Sequence, residues 1–305
     1  MEIPLDLART LAVVIDEGTF DAAARRLRLT PSAVSQRIKA LEQQLGRVLV
    51  VRAKPVRATD AGAAVVRLAR QLALLEHDTL AGFGLAAEST GPVTIALAVN
   101  ADSLGTWFLP ALARAMERHP VVFDLHRDDQ DFTAGLLESG AVMGAVTSQS
   151  VPVAGCLVRP LGVMRYEAVA TPAFMARWLP DGVTPAALAA APLVDFDRRD
   201  DLQRDHLRGM GVDTETPPRH FVPASNDFAT AVKLGLGWGM LPGFQSEAEL
   251  AAGELVRVGG EPIDVALYWQ QWNLRSPLLD AIAAELVDEA QRSLRPVQSA
   301  RGGGR

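Results

Sequence analysis

Residues 19–45 read TFDAAARRLRLTPSAVSQRIKALEQQL, the pattern of two short helices with a tight break at Arg28–Thr30. Thr19 is placed to cap the first helix. Thr30 followed by Pro31 starts the second, with a hydroxyl at the N-cap and a proline at the first helical position. In that second helix Val34, Ile38, Leu41 and Leu45 form one apolar stripe. Ser32, Gln36, Lys39 and Gln43 lie opposite, with Ser35 and Arg37 on the flanks. The outward face is small, polar and basic. Any surface helix turns polar residues to water, but this face also suits a DNA major groove. There Ser and Gln read base edges, and Arg and Lys reach phosphates or guanine. The small Ala22-Ala23-Ala24 segment lets the two helices pack closely, as a helix-turn-helix requires.

Working outward, Leu5–Glu17 reads as a preceding helix with Leu7, Leu11, Val14 and Ile15 inward. After Gly46, the run Val48–Arg52 is β-like and Lys54–Ala58 forms its return, a short two-stranded wing. Arg52, Lys54 and Arg57 on this wing are either solvated charges or phosphate contacts. Phe20, Ala22-Ala23-Ala24, the Thr30–Ser35 segment with Thr30, Pro31, Ser32 and Ser35, Ile38, Leu41-Glu42, Leu45-Gly46 and Arg52 together resemble the winged helix-turn-helix of LysR-type transcriptional regulators. The resemblance implies an N-terminal all-α winged helix-turn-helix over residues 1–58, binding double-stranded promoter DNA through Thr30, Pro31, Ser32, Ser35, Gln36, Arg37, Lys39, Arg52, Lys54 and Arg57.

The chain has 305 residues, enough for two or three domains, with 49% hydrophobic and 22% charged residues. No apolar run approaches the ~18–20 residues that span a bilayer, so no membrane partner is expected. The first residues carry Asp6 and no basic leader and read as an amphipathic helix rather than a signal peptide. A single Cys156 excludes an internal disulfide, and no CxxC offers a zinc site. A cytoplasmic protein without metal or cofactor is expected. The net charge of −6 divides unevenly. Residues 1–80 carry 12 Lys+Arg against 9 Asp+Glu, and the remainder carries 18 against 27. DNA contact belongs to the basic head, because the acidic body repels a phosphate backbone.

Thr59-Asp60 caps a long helix reaching about Leu85. In it Ala61, Val65, Leu68, Leu72, Leu75 and Thr79 alternate steps of four and three, a heptad seam. The seam either covers the chain's own body or pairs with a second copy. Because a helix-turn-helix works on two half-sites, pairing through Val65, Leu68, Leu72 and Leu75 is favoured. The family resemblance implies the same for this linker/dimerisation segment, residues 59–90, and a homodimer or a tetramer built as a dimer of dimers.

A hinge spans Gly82–Gly91. Beyond it strands and helices alternate, from Val93–Val99 to a closing strand Ile263–Trp269 and helix Pro277–Ser293, which implies a parallel sheet with helices on both faces. The pattern resembles the two-lobed, periplasmic-binding-protein-like α/β effector domain of the same family, over residues 91–298. Lobe I is expected at about 91–160 and 269–298, lobe II at about 161–268, and a disordered Gly-rich tail at 299–305. In such folds the ligand sits beyond the carboxyl ends of the strands. Those ends supply Asn100, Asp102, Ser103 and Trp107; Asp129; Thr147; Asp197 and Asp200; and Asn226. Asp128, Asp131 and Asp201 read as helix caps or solvated charges, and Trp107 as either ligand wall or core. Acidic loops beside hydroxyl groups suit a small ligand with cationic and anionic groups, a basic amino acid. The segments VTIALAVNADSLGTWFLPAL (93–112), DDQDFTAGLLESGAVMGAVT (128–147), FDRRDDLQ (196–203) and GLGWGMLP (235–242), with the Tyr166 region and the wing VRAKPVRAT (51–59), resemble the LysG/ArgP-type branch. That branch implies an L-lysine or L-arginine effector, control of a divergent exporter gene, and contact with RNA polymerase.

No catalytic pattern competes. The five histidines are scattered without HExxH, there is no G-x-S-x-G elbow, and the glycines at 235–239 sit between a helix and a strand, the wrong order for a dinucleotide loop. Two further readings stay open. One is an architectural DNA-binding protein that organises DNA or inhibits replication without an effector. The other is an α/β solute-binding or enzymatic protein whose N-terminal part mediates oligomerisation.

Overall fold

The computed structural model of the protein describes residues 2–84, 92–127 and 133–296. Residues 85–91 of the hinge expected at Gly82–Gly91, the acidic residues Asp128, Asp129 and Asp131, and the tail at 299–305 lie outside the described residues.

The head begins with helices α1 (Leu5–Glu17), α2 (Phe20–Leu27) and α3 (Pro31–Leu45). Thr19 Oγ1 accepts from the Ala22 amide at 3.2 Å and Thr30 Oγ1 from the Ala33 amide at 3.2 Å, so both expected caps form. Between them the chain reverses at Arg28, which adopts left-handed backbone (φ 55°), the one non-glycine residue to do so among those described. Val34, Ile38 and Leu41 of α3 are fully buried with Leu11, Val14, Ala23 and Ala24. The wing is shorter than expected, β1 (Val50–Val51) pairing with β2 (Arg57–Ala58).

Helix α4 (Asp60–Gly82) starts on a Thr59 cap and ends sooner than the periodicity suggested. Its first half completes the head's core through Val65, Val66 and Ala69. Its second half packs on the body. Leu74 is fully buried in the body's main core, and Asp78 Oδ1 accepts from the Leu278 amide at 3.3 Å. Arg70 joins the two parts, donating both to the Asp16 carboxylate of α1 and to the Gly140 carbonyl of the body. Arg67 lies over the Trp272 ring, 5.7 Å from its centroid.

The body is built on one seven-stranded sheet in the order β10-β6-β11-β5-β3-β4, with β9 also paired to β6. The strands are β3 (Val93–Val99), β4 (Val121–Arg127), β5 (Gly144–Thr147), β6 (Cys156–Ala170), β9 (Gly239–Pro242), β10 (Val256–Arg257) and β11 (Ile263–Trp272). A separate parallel pair joins β7 (Leu193–Asp195) to β8 (Arg219–Phe221). The sheet is mixed, which corrects the expected all-parallel sheet. Strands β3, β4 and β5 are parallel, whereas β6 and β11 run antiparallel to each other and β11 antiparallel to β5. The reason lies in the crossings between lobes. Strand β6 spans 15 residues and passes from one lobe to the other, and β11 returns alongside it with a bulge at Leu267/Tyr268. The lobe boundary expected at 160/161 falls inside β6, whose Pro160 and Gly162 are poor strand formers. Pairing with β11 overrides that local signal.

Around the sheet lie α5 (Ala101–Gly105), α6 (Phe108–Arg118), α7 (Thr133–Glu138), α8 (Pro172–Trp178), α9 (Pro185–Ala190), α10 (Leu202–Gly209), α11 (Ser225–Lys233), α12 (Gly243–Ala252) and α13 (Pro277–Ser293). The short helix α5 precedes α6, and Trp107 at their junction is buried in the core. Helix α12 and strand β10 were not anticipated. Among the described residues no helix is long and apolar enough to cross a membrane.

Candidate functional site

Two surfaces carry the chemistry. On the head, Pro31, Ser32, Gln36 and Lys39 are exposed along one side of α3 and Ser35 is half-buried beside them. Thr30 is held at the helix start, its hydroxyl 3.0 Å from that of Ser32. Arg37 is half-buried and donates to Thr10 Oγ1 of α1 at 3.2 Å, so it braces α3 from the flank. On the wing Arg52, Lys54 and Arg57 are exposed, and the Arg52 guanidinium lies over the Phe20 ring at 5.4 Å. That stacking fixes the wing against the first turn of α2. If α3 enters the major groove, Gln36→Ala is expected to cost about 1–3 kcal/mol at the base it reads. Lys39→Ala is expected to weaken binding to all sequences and lower the salt slope by about 1. Equilibrium DNA binding at several salt concentrations checks both.

The heptad seam is divided by the fold. Val65 is 6% exposed inside the head's core, whereas Leu68, Leu72 and Leu75 are half-buried along α4.

The second surface is a cleft between the lobes of the body, with a cavity of about 170 Å³. Asn100 and Asp102 enter it from the start of α5, Arg127 from the end of β4, and Tyr166 from the crossing strand β6. From the opposite side come Phe196, Asp197, Arg199 and Asp200 after β7, Gln203 of α10 and Gln245 of α12, with Phe228 and Met240 as apolar wall. Four of the residues picked out from strand ends therefore meet in one place: Asn100, Asp102, Asp197 and Asp200.

Others sit elsewhere. Trp107 is 1% exposed in the core, edge-on to Phe108 at 5.8 Å, and is not part of the wall. Ser103 is fully buried behind the lining. Thr147 is fully buried and accepts from the Gln149 amide at 3.0 Å. Asn226 is exposed and outside the lining, and its Oδ1 accepts from Gln245 Nε2 at 3.2 Å. Tyr166, Arg199, Gln203 and Gln245 were not singled out as individual site residues, nor was Arg127. Gln203 lies in the first turn of α10 and Gln245 on a helix the sequence did not reveal, so neither carries a strand-end signal.

The lining is dense in acceptors. Asp102 Oδ2 accepts from the Tyr166 hydroxyl at 2.7 Å. Asp197 accepts from the Arg199 amide at 2.7 Å, the Asp200 amide at 3.2 Å and the Arg199 guanidinium at 3.2 Å. Burial alone pushes the Asp197 carboxyl up, but those hydrogen bonds outweigh it and hold the group below its usual range. Three amide oxygens, Asn100 Oδ1, Gln203 Oε1 and Gln245 Oε1, are buried with no partner among the described residues. A buried acceptor without a donor costs free energy, about 1–3 kcal/mol. Three carboxylates and three such oxygens around one cavity therefore favour a ligand rich in N–H donors. Lysine and arginine side chains bring three and five donors respectively and no acceptor.

Comparison with known proteins covers both parts of the chain. The model of the bacterial regulatory helix-turn-helix protein, lysR family, matches residues 5–63, and that of the LysR substrate binding domain matches residues 86–291. The HTH-type transcriptional regulator LysG of Mycobacterium tuberculosis is 48% identical over 293 residues, covering 94% of this chain and 95% of the relative. The lysine export transcriptional regulatory protein LysG of Corynebacterium efficiens is 44% identical over 288 residues, covering 94% and 97%. The full-length structure of LysG from Corynebacterium glutamicum with bound effector Arg superposes with a TM-score of 0.76 at 39% identity, covering 96% of this chain and all of that one. The helix-turn-helix read from residues 19–45 and the two-lobed body thus carry the signature of one group of regulators, and this chain belongs to the LysR family of DNA-binding bacterial transcriptional regulators.

Proposed function

We propose that this regulator senses a basic amino acid, L-lysine or L-arginine, in the interlobe cleft and controls a divergently placed gene for an amino-acid exporter. The observation that carries the reading is the acceptor-rich lining of the cavity, Asp102, Asp197 and Asp200 with the buried amide oxygens of Asn100, Gln203 and Gln245. It is supported by the arginine held by the Corynebacterium glutamicum relative and by the lysine-export role in the name of the Corynebacterium efficiens one.

The mechanism follows from the connections. Two copies pair along Leu68, Leu72 and Leu75 of α4 and present two α3 helices to the half-sites of an interrupted palindrome. Two such dimers meet through their bodies. Ligand closure of the cleft shifts the body against α4, which is fixed to it by Leu74, Asp78 and Arg70. The shift re-spaces the heads in the cytoplasm and alters contact with RNA polymerase. Its size is bounded by the ligand's differential affinity for the two arrangements.

Thermal melting of the full-length protein against amino acids at millimolar concentration tests the proposal. Lysine or arginine is expected to stabilise the body by about 2.7 kcal/mol at a hundredfold excess over the dissociation constant, while leucine and glutamate leave the midpoint unchanged. A flat response to both basic amino acids would remove the effector assignment and leave a DNA-binding protein without one.

A further inference from the structure

We infer that Arg127 selects the effector by its free α-carboxylate, and that the same side chain clasps the two lobes across the mouth of the cleft. The inference rests on the basic-amino-acid reading and deepens it.

Arg127 is the last residue of β4, at the carboxyl end of the parallel strands, where ligands of open α/β sheets bind. From lobe I its Nη1 donates to the Pro223 carbonyl at 3.2 Å, in the segment that leads from β8 into α11 of lobe II. One guanidinium thus spans the cleft while lining the cavity. That contact uses one of its five N–H donors, and the rest of the planar fork fits a carboxylate with two parallel hydrogen bonds.

Charge pairing in the wall separates Arg127 from the other cation. Arg199 is bound to Asp197 at 3.2 Å, a pair within one loop. Arg127 has no carboxylate within ion-pair distance among the described residues. The described lining carries three carboxylates, Asp102, Asp197 and Asp200, and two guanidiniums, Arg127 and Arg199. Carboxylates for cationic groups, and a guanidinium for a carboxylate, suit a molecule that carries both kinds of group. Lysine and arginine have this arrangement. Their decarboxylated counterparts, cadaverine and agmatine, keep both cations and lose the group that Arg127 would hold. A ligand without it gives the guanidinium no carboxylate to hold and leaves the Pro223 carbonyl as its hydrogen-bond partner among the described residues. The contact with Pro223 adds a second consequence. A carboxylate on the remaining donors orients the guanidinium toward lobe II, so binding at this residue and closure of the cleft favour each other.

The experiment compares L-arginine with agmatine, and L-lysine with cadaverine, by calorimetric titration of the full-length wild type, Arg127→Gln and Arg127→Lys. Wild type is expected to bind the amino acid about 10- to 100-fold more tightly than its decarboxylated partner, the size of a charge-assisted hydrogen-bond pair. Arg127→Gln keeps a donor for the Pro223 carbonyl and removes the charge, so it is expected to bring the two affinities within about threefold, chiefly by weakening the amino acid. Arg127→Lys restores part of the discrimination with a charge but no fork. A general loss of folding would weaken all four ligands together and leave the ratio intact, so the ratio reports carboxylate recognition itself. Unchanged discrimination in Arg127→Gln, or equal wild-type affinity for arginine and agmatine, overturns the assignment of Arg127 while leaving basic ligands in the cleft. Absence of binding by all four ligands to the wild type overturns the basic-amino-acid reading and this inference with it.

Discussion

Gly62→Ala is expected to destabilise the head by about 3 kcal/mol or more and to abolish specific DNA binding while the body still binds its effector. In an exposed helix the same change would be favourable by roughly 0.5–1 kcal/mol, because alanine has less backbone entropy to lose. Here the sign reverses. A Cβ at Gly62 would lie 2.0 Å from the Leu49 carbonyl oxygen. That carbonyl cannot swing aside, since it accepts from the Thr59 amide at 3.0 Å, and the Leu49 amide donates to Glu42 Oε1 at 2.8 Å. Helix α4 must lift instead, withdrawing Val65, Val66 and Ala69 from the head's core. Overpacking costs about 1–3 kcal/mol where side chains can adjust, and more where backbone meets backbone. Denaturant unfolding followed together with DNA and ligand titrations separates the two parts. A Gly62→Ala protein that is more stable than wild type would show that α4 does not approach the wing this closely.

Arg219→Ala has the second large effect, expected at about 3–5 kcal/mol, because it strands a buried carboxylate. Asp195 ends β7 with its side chain 1% exposed, and Arg219 of the neighbouring β8 bonds it with 11% exposure. Burial pushes the Asp195 carboxyl above its usual range, and the Arg219 hydrogen bond and charge pull it back part of the way. Removing Arg219 raises it further. A carboxyl with a higher pKa folded than unfolded gains stability as pH falls through the folded value. The deficit of Arg219→Ala is therefore expected to shrink on acidification from pH 8 to pH 5, as read by unfolding at each pH. A deficit that does not change with pH would mean Asp195 is not the group left stranded. Asp195 directly precedes Phe196 and Asp197 of the cleft wall, so the variant is also expected to weaken effector binding.

Arg70 gives the connection between the two surfaces a physical form. It is the side chain that touches α1 of the head, through Asp16, and the turn before β5 of the body, through Gly140. Strand β5 then runs from that turn toward the cleft and pairs with the crossing strand β11. In the proposed mechanism, packed backbone running from the cleft to Arg70 would link effector occupancy to head position.

The sequence by itself determined the elements whose signals are local. Helices α1 and α13 have the bounds that their periodicity implied, and α2 and α3 start at the hydroxyl caps Thr19 and Thr30. Caps, apolar stripes and turn residues act within four or five positions, so they are visible in a single chain. The same holds for the division between a basic head and an acidic body, and for the strand ends that bring Asn100, Asp102, Asp197 and Asp200 to the cleft. Tertiary structure decided the rest. Strand β6 is continuous through Pro160 and Gly162 because β11 supplies its partners, a pairing about 100 residues away in the chain. Trp107 faces the core because the chain turns between α5 and α6, and Arg37 turns to Thr10 because α1 packs there. Arg127, Tyr166, Gln203 and Gln245 share one cavity only because two lobes close on each other, and no periodicity within either lobe encodes that closure. Residue spacing reports the face of an element. Which faces meet is settled by packing between distant segments, and the ligand's surroundings are made at those meetings.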